Sequence, residues 1–273
     1  MKASAQFRTI IISDLHLGTK GSKAKEVTDF LKQYRCEKLI LNGDIIDGWQ
    51  LKKQGTWKKK HTGFFRVVLK MIDEYGTKVI YLRGNHDDFL DQVMPLKIGK
   101  HFSIQRDYIL RSGTKQFYIT HGDIFDSITS HVKWLAYLGD IGYTLLLSIN
   151  KFYNQYRAWR GMPYYSLSQV IKQKVKAAVN YISDFEEKLA ELARANDCEG
   201  IICGHIHKPV IKDIDGITYM NSGDWVESLS ALVEDFSGKW SLIYYQDQIS
   251  KFEPLILEDD EEEVQKIDLI NVS

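Results

Sequence analysis

The chain has 273 residues, 44% of them hydrophobic, and 36 Lys and Arg balance 36 Asp and Glu. That length and apolar content suit one large α/β domain or two modest ones with an ample core, and the zero formal net charge excludes a strong molecule-wide field. Locally the balance fails: 131–182 holds seven Lys or Arg and one acidic residue, Asp140, whereas 258–263 reads Glu-Asp-Asp-Glu-Glu-Glu. Cys36, Cys198 and Cys203 are irregularly spaced, which argues against a disulfide framework and fits a reducing cytosol. Cys203, in an apolar run, reads as a core thiol. The first eight residues contain no apolar signal region, so a cytoplasmic location is expected.

In chain order, Thr9-Ile10-Ile11-Ile12-Ser13 predicts a buried strand that ends in Asp14-Leu15-His16. Helical spacing covers 23–34. Lys38-Leu39-Ile40-Leu41 predicts the next strand, ending in Asn42-Gly43-Asp44-Ile45-Ile46-Asp47. A Lys-rich loop over 52–60, beside Trp49 and Trp57, could grip an anionic substrate or an anionic membrane surface, or could simply be solvated. A helix at about 62–75 leads to strand 78–82 and to Gly84-Asn85-His86-Asp87. The strand–helix alternation predicts parallel strands with right-handed crossovers.

Beyond residue 100 the rhythm changes. Strands are expected at 102–105, 107–111 and 116–120, the last ending in His121-Gly122-Asp123. From about 127 to 195 apolar residues fall at helical spacing, interrupted by Pro163. Strand character returns at 200–203, before Gly204-His205-Ile206-His207, and short strands follow at 209–214, 217–220, 228–235 and 239–245. The expected organisation is a catalytic domain over 1–250 with a helical insert at about 127–195, then an acidic, solvated tail over 251–273.

Five polar stretches therefore stop five predicted strands. Asp14 and His16, like His205 and His207, are two residues apart, so on extended chain both side chains of a pair can reach one cation. Carboxylate, imidazole and amide oxygen together suit Mn, Fe or Zn better than an all-oxygen Ca or Mg cage. Asp14, His16, Asp44, Asn85, His121, His205 and His207 make seven candidate ligands, too many for one ion. They fit two divalent ions sharing a carboxylate, with Asp44 the natural bridge. His61, His101 and His131 lie outside these stretches and are expected to be surface or capping residues.

On these motifs, in order from about 8 to 245, the chain resembles the calcineurin-like metallophosphoesterases. The resemblance implies a four-layer sandwich of two packed mixed β-sheets flanked by helices, with metals above the strand ends. It implies that Asp14, His16, Asp44 and His207 hold one metal, and that Asp44, Asn85, His121 and His205 hold the other. Mn is the first choice, Fe or Zn the alternatives. His86 would be the acid or phosphate contact, oriented by Asp87. Within that superfamily the Asp14-Leu15-His16-Leu17 start and the helical insert look like the UDP-diacylglucosamine hydrolase branch, which cleaves a pyrophosphate in a lipid A precursor at the cytoplasmic face of the inner membrane. That branch's best-known members carry Arg where this chain has His86, which follows the general phosphoesterase pattern.

The insert carries Trp134, Phe152, Tyr156 and Trp159 beside Arg157 and Arg160. Either it packs its apolar face on the domain with its charges solvated, or it forms a lid whose groove takes acyl chains while Arg157 and Arg160, with Trp49, contact the substrate. A transmembrane span is not expected, because the run 134–149 is short and contains Asp140. Nucleic acid is a poor fit, because the insert's apolar face is broader than a basic track needs. A soluble phosphodiesterase or phosphatase is the alternative enzyme. A non-catalytic scaffold is disfavoured by the complete ligand set.

Overall fold

Ile10-Ile11-Ile12, Leu39-Ile40-Leu41 and Val79 to Leu82 are fully or almost fully buried, because they lie in adjacent parallel strands covered on both faces. The computed structural model describes residues 5–54, 56–128, 143–163, 167–246 and 264–266. The elements run β1 (Ala5–Ile12), α1 (Ala24–Gln33), β2 (Tyr34–Asn42), α2 (Gly48–Gln54), β3 (Thr56–Lys58), α3 (Lys59–Tyr75), β4 (Lys78–Leu82), β5 (Leu96–Ile98), β6 (Phe102–Gln105), β7 (Asp107–Ser112) and β8 (Lys115–Thr120). They continue with α4 (Tyr143–Trp159), α5 (Leu167–Ala195), β9 (Gly200–Cys203), β10 (Val210–Ile214), β11 (Ile217–Asn221), β12 (Ser230–Glu234), β13 (Trp240–Tyr244) and β14 (Val264–Lys266). A 3-10 segment, Asn85–Gln92, follows β4, and another, Asp123–Ile128, follows β8.

The first sheet has the order β13-β12-β1-β2-β4-β6-β5, with β1, β2, β4 and β6 parallel. The second has the order β10-β11-β9-β8-β7, with β11, β9 and β8 parallel and antiparallel edges. The fold is thus mixed α/β with two packed mixed sheets. The period of two along each strand divides the core. Ile11, Ile40, Ile80 and Leu82 face Leu110, Phe117, Ile119, Ile202 and Met220 of the second sheet. Ile10, Ile12, Leu39, Leu41, Val79 and Tyr81 face the other way, onto Val27, Phe30 and Leu31 of α1 and Phe64, Val68 and Met71 of α3. Truncating one of these side chains to Ala would cost about 2–5 kcal/mol.

The chain divides into two units, Met1–Asp123 with Leu189–Ser273, and Ile124–Lys188. The first holds both sheets. The second holds α4 and most of α5; just after α4, Arg157 Nε donates to Pro163 O at 2.9 Å. Trp134 and the rest of 129–142 lie outside the described residues.

Several local expectations change. The Lys-rich stretch is not one loop: it is the end of α2, then β3, then the first turn of α3. Within the acidic tail, Val264–Lys266 pairs antiparallel with Thr56–Lys58 as β14; 251–263 and 267–273 lie outside the described residues. His61 caps as expected, its Nδ1 accepting from Lys58 N–H at 3.3 Å, but it is buried rather than on the surface. His131 lies outside the described residues.

Candidate metal centre

Because β1, β2 and β4 are parallel within one sheet and β8 and β9 within the other, the five polar stretches leave their sheets at C-terminal strand ends. They converge. Asp14 N–H donates to Gly43 O at 3.1 Å and His16 N–H to Asp44 O at 2.9 Å, which locks the β1 loop to the β2 loop. Asn42 Nδ2 donates to Thr120 O, His121 Nδ1 lies 2.9 Å from Asn42 O, and Gly204 N–H donates to His121 O at 3.1 Å. The two bonds of Asn42 tie the second sheet to the first, and the third joins two loops of the second sheet.

The backbone at the site is unusual. Asp14, His16, Asp44, His205 and His207 all have φ between 46° and 67°, the left-handed region that non-glycine residues seldom occupy. Such strain persists only where surrounding contacts over-determine it, and it gathers at functional sites. Two glycines make the close approach possible. A Cβ at Gly84 would strike the carboxylate and backbone of Asp44, and one at Gly43, itself at φ +80°, would strike the His121 ring.

Asp44 sits at the centre. Its Oδ1 accepts from His86 N–H at 2.8 Å, and its Oδ2 lies 3.3 Å from His121 Nε2 and 3.9 Å from His16 Nε2. Asp14 Oδ2 accepts from His205 N–H at 3.0 Å, while its Oδ1 faces His207 Nε2 at 3.1 Å and His121 Nε2 at 4.0 Å. Potential ligand atoms of Asp14, His16 and His207 lie within 4.8 Å of one another, as do those of Asp44, His121 and His205. His16, Asp44 and His86 form a third such group.

These residues fit divalent metal. Asn85 Oδ1 is shielded from solvent and accepts no hydrogen bond, an arrangement that costs free energy unless a cation or donor meets it. If His121 Nδ1 donates to Asn42 O, its Nε2 is left as a ligand nitrogen pointing into the cluster. In the metal-free protein burial disfavours the charged histidines, yet Asp44 and Asp14 raise His121 to about 10, and Asp14 raises His207 to about 9. Burial likewise opposes ionisation of Asp14, but His207, His121 and His16 hold its pKa well below the usual carboxylate range. The cluster thus stores opposite charges where cations would bind.

The structure corrects the expected orientation of His86. The Asp87 carboxylate is committed elsewhere, accepting from Ile45 N–H at 3.1 Å, Ile46 N–H at 2.9 Å and Tyr81 O–H at 2.9 Å. It therefore braces the loop that carries Asp44. The carboxylate beside His86 is Asp47, whose Oδ2 lies 3.1 Å from His86 Nδ1 and 3.4 Å from His16 Nδ1. Asp47 was visible in the sequence at the same strand end as Asp44, but spacing alone could not say which acid reaches His86. The Trp49 ring lies against the His86 ring at 4.3 Å between centroids, tilted by 36°, and donates Nε1–H to Asp88 at 3.1 Å, leaving 42% of the residue exposed. Arg157 and Arg160 belong to the second unit. Asn221, whose Nδ2 donates to Gly204 O at 2.7 Å, is a further support missed in the sequence, though Asn-Ser-Gly-Asp after β11 is another polar strand end.

A model of the calcineurin-like phosphoesterase family matches residues 7–209, and the chain belongs to that family: it is a metal-dependent phosphoester hydrolase. More specifically, it is similar to two proteins named UDP-2,3-diacylglucosamine hydrolase. The one from Neisseria gonorrhoeae is 24% identical over 231 residues, covering 81% of this chain and 91% of that protein. The one from Haemophilus influenzae is 25% identical over 248 residues, covering 85% and 97%. Among solved structures, Yfce, a phosphoesterase from E. coli, aligns over 95% of this chain and 99% of its own, at 17% identity and a TM-score of 0.45.

Proposed function

We propose that this protein hydrolyses the pyrophosphate of UDP-diacylglucosamine or a similar lipid-linked nucleotide with two divalent cations, Mn first, at a cytoplasmic site peripheral to the membrane. The observation that carries the hydrolytic reading is the gathering of Asp14, His16, His86, His121, His205 and His207 around Asp44, the group drawn from the ends of five strands. Asp14, His16, Asp44 and His207 would hold one cation, and Asp44, Asn85, His121 and His205 the other. Bound there, the cations would supply an acidified water and neutralise phosphate oxygens.

The chain's own groups do the rest. His86, with Nδ1 on Asp47, is the acid that protonates the leaving oxygen or contacts the phosphate, and Asp47 fixes which ring nitrogen faces the substrate. Trp49 shields one face of that ring. Asp87 keeps the Asp44 loop in its strained conformation. The lipid substrate is supported by the names of the relatives and by the aromatic and basic character of α4 and the turn after it, where Arg157 and Arg160 would contact phosphate. Among the described residues no helix is long and apolar enough to cross a membrane.

The second reading is a phosphodiesterase or phosphatase for simple nucleotides, favoured by His86 itself, which follows the general pattern. The test is UMP release from UDP-diacylglucosamine by Mn-loaded protein, compared with simple diesters and nucleotides. A much higher kcat/KM for the lipid is expected. Activity confined to simple diesters would replace the lipid reading with the second one.

A further inference from the structure

Arg83, the residue between β4 and Gly84, was assigned no role by the sequence motifs. Its guanidinium is mostly buried, and its two Nη atoms pair with carboxylates from opposite sides of the site: Nη2 with Asp91 at 3.0 Å and Nη1, at very short range, with Asp123. Asp91 lies in the 3-10 segment that begins at Asn85 and His86, and Arg106 Nη2 supports it from outside at 3.1 Å. Asp123 is two residues after His121. One side chain therefore joins the Asn85 loop of the first sheet to the His121 loop of the second.

Other hydrogen bonds among the described residues link both loops to β2 and the loop after it. Asn42 holds the His121 side, and Asp44 and Asp87 hold the Asn85 side. The Arg83 pairs close that triangle directly. A planar guanidinium suits the task, because it presents separate N–H groups to two carboxylates at fixed angles, which an ammonium cannot do.

We propose that Arg83 is a positioning residue that sets the separation of Asn85 and His121, and so the affinity of the cation these two would share with Asp44 and His205. The inference rests on the two-metal reading above. Removing Arg83 alone would also leave Asp123 uncompensated near the site, and its charge would attract a cation. The decisive variant is therefore the charge-neutral pair R83M/D123N, with R83K as the milder change.

The experiment titrates Mn2+ into the metal-free full-length chain by calorimetry and records Tm alongside. Wild type is expected to bind two equivalents. In R83M/D123N one equivalent should weaken about 10–100-fold while the other stays near its wild-type value, the usual scale for losing a support behind a ligand. R83K should fall between, because its ammonium can hold one carboxylate but not both. A merely structural role would lower Tm yet leave both affinities of the folded protein unchanged, and that result overturns the assignment. If the double variant does not fold, R83K decides: two wild-type affinities in it also overturn the assignment. Fewer than two equivalents in wild type would overturn the two-metal reading, and this inference with it.

Discussion

The strand-end loops and helix α4 use polar and aromatic residues in opposite ways. Around the metal centre, Asp14 and His121 are fully buried, their backbone or ring nitrogens are bonded to neighbouring loops, and five candidate ligands sit in a strained left-handed backbone. Along α4 and the turn after it, Phe152 and Trp159 are 71% and 78% exposed, and Lys151, Arg157 and Arg160 occur without an acidic residue anywhere in 143–163. The first region is over-determined by tertiary contacts, so each side chain has one position. The second presents its described aromatic side chains to solvent. Chemistry that must align charges to fractions of an ångström belongs in the first, and recognition of a large, partly apolar substrate suits the second.

The sharpest way to break this comparison is at Asp44. Asp44→Asn should reduce turnover to background at any metal concentration and lower bound Mn2+ below two per chain, read by phosphoester hydrolysis and elemental analysis. Retained turnover would mean that the convergence of loops on Asp44 is not the active site.

His86→Ala should lower kcat by about 10²–10⁴-fold, the range for a positioned proton donor, with bound metal unchanged. Asp47→Asn should cost less, about 10–100-fold, because it disturbs the orientation of His86 and His16 rather than removing either ring. If Asp87→Asn lowered kcat with unchanged stability while Asp47→Asn did nothing, the reassignment of the orienting acid would fail.

A pH titration probes the same buried charges. In the metal-free protein His121 and His207 are raised to about 10 and 9, above the ordinary 6.5, so both are protonated at neutral pH and must lose protons to become ligands. Apparent Mn2+ affinity should rise with pH below about 9, by up to tenfold per pH unit for each proton displaced. The sign for the metal-free fold is opposite: these raised histidines stabilise it fully below pH 6.5, and that contribution disappears as pH passes 9 and then 10. Calorimetry in buffers of different ionisation enthalpy reads the proton release.

The smallest structural effect is expected in the insert. Trp159→Ala should change stability by no more than about 0.5 kcal/mol, as for an exposed side chain whose ring meets only the exposed Tyr156 ring of its own helix among the described residues, while raising KM for a diacylated substrate and leaving a simple diester unchanged. Equal effects on both substrates would remove the distinction between the two regions.

Much of the fold was legible in the sequence because each buried parallel strand is a continuous apolar run, and Val79 to Leu82 announced β4 to within a residue. Less regular elements escaped. Leu96–Ile98 is a three-residue edge strand, too short for a periodicity to show, and β14 pairs with β3 across about 200 residues of chain, which no local pattern can encode.

What the sequence determined by itself is the chemistry of the candidate site: Asp, His and Asn placed where five apolar runs stop, two of them with the spacing of paired ligands. Donor type and strand ends are local properties, and a linear chain states them. Only the tertiary structure decided the partners. It placed Asp47 rather than Asp87 beside His86, committed Asp87 to the Asp44 loop, and spanned the two sheets with Arg83. Those assignments depend on distances of about 3 Å between residues that are nearly 40 or more positions apart. Such distances are fixed by pairing β2 beside β4 in one sheet and by packing the two sheets face to face, not by any stretch of sequence.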